Sequence, residues 1–292
     1  MEATLNHILV PLDYSDKSIF GLKYAVKLNK AIGGKVTFIH VIKGVDPIWS
    51  DFFTDSERDA LLKKLKEHMQ AFVALHAGRT SVDFDFMIAK GTLCDTIMQV
   101  STDINASLIV MGTSQADNIK KMIIGTNALR VVSESKCPVI TIKEAPSAND
   151  IKRIILPLDI TKETREKTVD AVDIARKLDA EIVIVSAYTI DDEHINKKLQ
   201  QYQEQVAKYI SDRGIKCSTH LLKCDDQIDG LLEFIDRANG DLVIITTHQQ
   251  LEIVTSFIGS FAKSMVSKAH IPVMSIVPRN EYNVIFNLPG TN

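Results

Sequence analysis

Features of exported, membrane-bound or nucleic-acid-binding proteins are scarce in this sequence. Its 292 residues include only four cysteines, Cys94, Cys137, Cys217 and Cys224, too few for a disulfide framework. No apolar run approaches the roughly 18 residues of a membrane span, and residues 1–13 lack the basic start and apolar core of a signal peptide. The net charge is −3, and no run of lysine or arginine stands out. We therefore expect a cytoplasmic protein without a membrane or nucleic-acid partner.

Motifs of several enzyme and metal-site classes are missing as well. There is no Gly-x-Gly-x-x-Gly, Walker A, His-Glu-x-x-His or Gly-x-Ser-x-Gly pattern. Cys217, His220 and Cys224 lie close together, but a strand places Cys217 on the opposite face and separates the other two by about 13 Å. We predict neither a metal site nor a catalytic residue.

An internal repeat divides the chain into two halves. Ile8–Asp13 (ILVPLD) returns as Ile154–Asp159 (IILPLD), Gly125-Thr126 returns as Gly259-Ser260, and Cys137–Ile140 (CPVI) returns as Ile271–Met274 (IPVM). A polar segment with one proline, residues 143–150, lies between the copies. We predict two duplicated domains, at residues 1–146 and 147–280, followed by a tail at residues 281–292.

Strand and helix patterns alternate within each half. The strands predicted in the first half are Ile8–Pro11, Val36–Val41, Val82–Ile88, Leu108–Met111 and Val139–Ile142, and the helices are Lys17–Ala31, Thr54–His76, Leu93–Thr102 and Asn127–Ser133. The second half repeats this order, with strands at Glu181–Ser186 and Leu242–Thr246. Such apolar strands are typical of parallel sheets covered on both faces by helices. The pattern predicts α/β domains with doubly wound, mostly parallel five-stranded sheets.

Ligands of such sheets bind beyond the carboxyl ends of the strands, and three loops there carry polar or small residues. Asp13 follows the first strand, where it can accept a hydrogen bond, hold magnesium or simply cap the next helix. Gly112 ends the fourth strand, where it either lets a ligand approach the backbone closely or serves only as a turn glycine. Gly125-Thr126 precedes the last helix, where it either binds an anion or serves only as the N-cap of that helix.

These residues together resemble the universal stress protein family, over both halves of the chain. The family's nucleotide-binding members carry the pattern Gly, two residues, Gly, nine residues, Gly, then Ser or Thr. The first half has the same spacing, with Gly112, Gln115, Gly125 and Thr126 at the four positions. Glutamine therefore replaces the second glycine of the pattern. The resemblance implies a flavodoxin-like fold of the HUP type. It also implies a nucleotide site formed by Pro11, Asp13, Val41, Met111, Gly112, Gln115, Gly125, Thr126 and Asn127.

The second half departs further from that pattern. Thr246 and Gln249 replace two of the three glycines, while Asp159, Gly259 and Ser260 remain. A β-branched residue suits a close backbone approach poorly, so we expect a degenerate second site.

The main functional hypothesis is an adenine-nucleotide-binding stress-response module, holding ATP or AMP with or without Mg²⁺, and at most a slow ATPase. The alternative is a dimerisation or protein-interaction scaffold that binds no nucleotide. The resemblance implies pairing of the two domains within the chain, and we further expect a homodimer and an unidentified protein partner. The aromatic loop Lys43–Asp55 and the tail are candidates for a lid or for contacts.

Overall fold

The computed structural model describes residues 6–43, 54–78, 80, 82–113, 125–147, 149–161, 163–247 and 259–278. The chain divides into two compact units. One comprises residues 1–150 together with 263–274, and the other comprises 151–262 with 275–292. No helix in the described ranges is long and apolar enough to cross a membrane.

The first half alternates strands and helices as predicted. Its strands are β1 (His7–Pro11), β2 (Lys35–Ile42), β3 (Phe84–Lys90), β4 (Leu108–Gly112) and β5 (Val139–Ile142). Its helices are α1 (Asp16–Ile32), α2 (Asp55–Ala77), α3 (Leu93–Asp103) and α4 (Thr126–Glu134). Predicted and observed limits agree within two residues.

The strands of the first half lie in the order β3-β2-β1-β4-β5. The pairs that involve β1 are parallel, with Ile8 opposite Val36 on one side and Leu108 on the other. Because the chain winds outward from β1 in both directions, the sheet changes its winding direction between β1 and β4. The predicted doubly wound fold is confirmed, and its switch point lies beside Pro11 and Gly112.

Local hydrogen bonds determine where the helices begin. The Ser15 hydroxyl accepts a bond from the Ser18 amide at 3.2 Å and so caps α1. Thr54 and Glu57 form a reciprocal capping box at the start of α2. Gly33 ends α1 with φ of 75°, a left-handed value that favours glycine.

The second half repeats the arrangement. Its strands are β6 (Arg153–Pro157), β7 (Glu181–Tyr188), β8 (Cys217–Lys223), β9 (Leu242–Thr246) and β10 (Val273–Ile276), and its helices are α5 (Glu163–Leu178), α6 (Glu193–Ser211), α7 (Gln227–Arg237) and α8 (Ser260–Lys268). The strand order is β10-β9-β6-β7-β8. The equivalent register recurs, because Ile154 lies opposite Ile182 and Leu242.

Two glycines bring α1 into backbone contact with β4. A Cβ atom placed on Gly21 would lie 2.8 Å from the Gly112 amide nitrogen, and one placed on Gly112 would lie 1.7 Å from the Lys17 carbonyl oxygen. Any larger residue at either position must push the helix away from the strand. This contact places the first turn of α1 beside the carboxyl ends of β1 and β4.

We expect Gly112→Ala to destabilise the protein by about 1–3 kcal/mol, because the added methyl group overlaps backbone atoms that cannot move independently. Gly259→Ala is the control: among the described residues its Cβ meets only the Thr247 carbonyl oxygen, at 3.4 Å, an ordinary contact. Urea unfolding of the two variants measures the difference. Equal stabilities would contradict the close packing described above.

Candidate functional site

A crevice opens at the switch point of the first sheet, with a volume of about 110 Å³. It is bounded by the loop after β1, the first turn of α1, the start of α3, the end of β4 and the start of α4. Its lining residues are Pro11, Leu12, Asp13, Ser15, Lys17, Ser18, Ile39, Leu93, Ile97, Met111, Gly112, Thr113, Gly125, Asn127 and Ala128.

Asp13 supplies a negative charge to this crevice. Its Oδ1 accepts hydrogen bonds from the Ser15 amide at 3.0 Å and from the Ser15 hydroxyl at 2.5 Å. Burial raises the pKa of Asp13, but the bonds from Ser15 outweigh it and bring the pKa below its ordinary value. Asp13 is therefore a carboxylate at neutral pH, and Ser15 rather than Asp13 is the N-cap of α1.

Tyr14 holds the turn between Asp13 and Ser15. Its φ is 65°, a left-handed value that is uncommon for a bulky residue. The Tyr14 ring packs 4.9 Å from the His40 ring and 5.0 Å from the Phe72 ring, so side chains of β2 and α2 fix it. No pattern in the sequence signals this conformation.

Backbone donors line the crevice at the start of α4. Gly125 precedes α4 and has no side chain to cap it, so the amides of Thr126 and Asn127 form no hydrogen bond within the described part of the chain. Free amides and the positive end of a helix dipole favour an anion. Lys17, in the first turn of α1, also lines the crevice, and its Nζ donates to the Lys143 carbonyl oxygen at 2.8 Å.

The structure brings together most of the residues that the family resemblance implies. Six of them line the crevice: Pro11, Asp13, Met111, Gly112, Gly125 and Asn127. Val41 and Thr126 are not among its lining residues, and Thr126 is exposed. Gln115, the loop at residues 44–53 and the tail at residues 281–292 lie outside the described residues. Ser15, Lys17, Ser18 and Thr113 line the crevice without having been predicted.

The second half has an equivalent but smaller crevice, of about 50 Å³. Asp159 lines it, and its Oδ1 accepts bonds from the Thr161 amide at 2.7 Å and the Thr161 hydroxyl at 2.6 Å, the same pair of hydrogen bonds that Ser15 makes to Asp13. Gly259 and Ser260 are not among the lining residues, whereas Phe261 is. The lining residues are Pro157, Leu158, Asp159, Lys167, Val185, Ala187, Gln227, Leu231 and Phe261.

Lys167 is the distinctive residue of the second crevice. Its side chain is 1% exposed. Burial lowers the pKa of Lys167 to about 8, although the Asp159 carboxylate favours the charged ammonium. Lys167 belongs to none of the motifs that the sequence shows. The signal was its place on the stripe of α5 that also buries Ala171, Ile174 and Ala175, where a lysine is unusual.

Among the described residues, no group of three or more His, Cys, Asp and Glu side chains could hold a metal ion. The four cysteines are free thiols, and burial raises the pKa of Cys217 to about 11.

We predict that Lys167 makes stability depend on pH. The amine loses its proton near pH 8 when folded and near pH 10.5 when unfolded, so the unfolded chain binds more protons between these values. The free energy of unfolding should therefore rise with pH across this range, by about 3 kcal/mol relative to Lys167→Met. Urea unfolding of both proteins at intervals from pH 7 to 10.5 measures the difference, and parallel pH profiles would contradict it.

Comparison with known proteins matches both halves to one family. The model of the universal stress protein family matches residues 4–143 and again residues 150–276. The chain is 25% identical over 147 residues to a universal stress protein of Methanocaldococcus jannaschii, covering 47% of this chain and 81% of that protein. It is 26% identical over 137 residues to one of Thermus aquaticus, covering 47% of this chain and 97% of that protein.

Solved structures show the same fold over nearly the whole chain. A universal stress protein from Archaeoglobus fulgidus superposes with a TM-score of 0.73 at 20% identity, covering 95% of this chain and 98% of that one. A putative universal stress protein from Pseudomonas aeruginosa gives a TM-score of 0.65 at 16% identity, covering 95% of each chain. The expected family is confirmed: the chain belongs to the universal stress protein family, with one family domain in each half.

Proposed function

We propose that this chain is a cytoplasmic regulatory protein that binds an adenine nucleotide in its first crevice. The observation that carries the proposal is that a carboxylate and an uncapped helix start line one crevice at the switch point. The Asp13 carboxylate and the uncapped start of α4 line the same crevice, together with Lys17. A nucleotide offers complementary groups, because its sugar hydroxyls donate hydrogen bonds and its phosphates accept them.

The charges and hydrogen-bond donors of the first crevice are complementary to those of a nucleotide. The Asp13 carboxylate suits a ribose hydroxyl or a Mg²⁺ ion, and the start of α4 suits a phosphate. In volume, the described walls enclose about 110 Å³, below the roughly 300 Å³ of small ligand pockets. We propose that the described residues hold the ribose and phosphate side of the ligand.

Binding without rapid turnover is the form of activity that we propose. The hydrogen bonds from Ser15 keep the pKa of Asp13 low, and a carboxylate of low pKa is a weak general base. ATP or AMP would then act as a signal whose occupancy alters the surface offered to a partner.

A scaffold that binds no nucleotide is the second candidate, and one observation favours it. Gly112 is required by the packing of α1 against β4 whether or not a ligand is present. Its presence is thus explained without a nucleotide. Pairing of the two domains, or of two chains, would be the function in that case.

Thermal unfolding with and without ATP, AMP and GTP, each in Mg²⁺ or in EDTA, separates the two candidates. A ligand at 100 times its dissociation constant adds about 2.7 kcal/mol to the free energy of unfolding. We expect an adenine-specific rise in the midpoint for the wild type. No rise with any nucleotide would leave the scaffold as the function.

Asp13→Asn should abolish that rise, because asparagine keeps an oxygen for the Ser15 turn but loses the charge and one acceptor. Asp159→Asn is the matched control, since it changes the same turn in the second half and should leave the nucleotide effect intact. An unchanged response in Asp13→Asn would locate the ligand elsewhere.

A further inference from the structure

Lys167 and Gly21 occupy equivalent positions in the two halves. Each stands eight residues after the aspartate of its Pro-Leu-Asp segment, Asp13 or Asp159. The strand that packs against the helix has changed too. Leu108 and Leu242 share one register position, so Gly112 and Thr246, four residues farther on, are also equivalent.

The two replacements act on the same contact. In the first half the glycine pair leaves no room for a side chain between α1 and β4. In the second half both positions carry buried side chains, with Thr246 4% and Lys167 1% exposed. Lys167 lines the second crevice beside Asp159, and that crevice has about 50 Å³ where the first has about 110 Å³.

Filling space does not account for a lysine at this position. A leucine or methionine would occupy similar room without the cost of removing an ammonium group from water. The cost is evident in the Lys167 pKa, which burial lowers despite the nearby carboxylate. Lysine differs from leucine and methionine in its positive charge, which is opposite to the charge of Asp159.

We propose that Lys167 is a tethered cation that lines the second crevice, balances the charge of Asp159 there, and closes this domain to the nucleotide class that enters the first. The part of this inference that concerns nucleotide rests on the proposed function. The crevice of the second half is then occupied by a side chain of the same protein, which cannot dissociate. The shape of the second half therefore does not depend on the concentration of nucleotide.

Chemical rescue tests this occupancy without using a nucleotide. Lys167→Ala removes three methylene groups and the ammonium, which n-propylammonium matches in size and charge. We expect n-propylammonium at several times its dissociation constant to raise the unfolding midpoint of Lys167→Ala by about 2–4 °C relative to wild type. Neutral 1-propanol at the same concentration should not do so.

Lys208→Ala is the matched variant, because Lys208 is exposed and pairs with Asp212 on the surface of α6. It should respond to n-propylammonium as the wild type does. An equal response of all three proteins to n-propylammonium would overturn the proposal. Because no nucleotide is present, this result is independent of whether the first crevice binds ATP or AMP.

A second measurement covers the case in which Lys167→Ala does not fold. Lys167→Met preserves most of the side-chain volume, and Asp159→Asn preserves the Thr161 turn. If the ammonium pairs with Asp159, Asp159→Asn should lower the unfolding midpoint by several degrees more in the wild type than in Lys167→Met. Equal effects in the two backgrounds would show that the charges do not interact, and would overturn the proposal.

Discussion

The close contact between α1 and β4 determines the geometry of the first crevice. Because neither Gly21 nor Gly112 has a side chain, the Lys17 carbonyl and the Gly112 backbone lie against each other. The first turn of the helix therefore reaches the carboxyl ends of the central strands. Ser15, Lys17 and Ser18 enter the crevice for this reason, and the Asp13 carboxylate is held between β1 and that turn. A longer distance between helix and strand would separate the carboxylate from the start of α4.

Local patterns in the sequence predicted the elements well. The limits of Leu242–Thr246 and Val139–Ile142 were predicted to the residue, because the change from apolar to polar residues marks where each strand begins and ends. In the structure Ser15 and Gly33 delimit α1 through capping and a left-handed backbone, and both effects depend on neighbouring residues alone. The doubly wound sheet was predicted from the alternation of strands and helices, whereas the order of the strands comes from the structure.

The site was harder to predict, because it depends on contacts between distant parts of the chain. Gly112 was interpreted as a point of ligand approach or a turn glycine, whereas its missing Cβ faces a helix far away in sequence. Val41 and Thr126 match the family pattern, yet neither lines the crevice. Lys167 was visible as a lysine on an apolar stripe, but only the fold shows that this stripe ends beside Asp159.

The paired side chains at Lys167 and Thr246 also bear on how this duplicated protein can evolve. Changing Lys167 alone to glycine would leave Thr246 between helix and strand, and changing Thr246 alone would leave a void beside a buried charge. Neither single step restores the backbone contact that Gly21 and Gly112 make. Restoring that contact therefore requires substitutions at both positions. A single substitution at either position therefore does not make the two halves of the duplicated chain alike again.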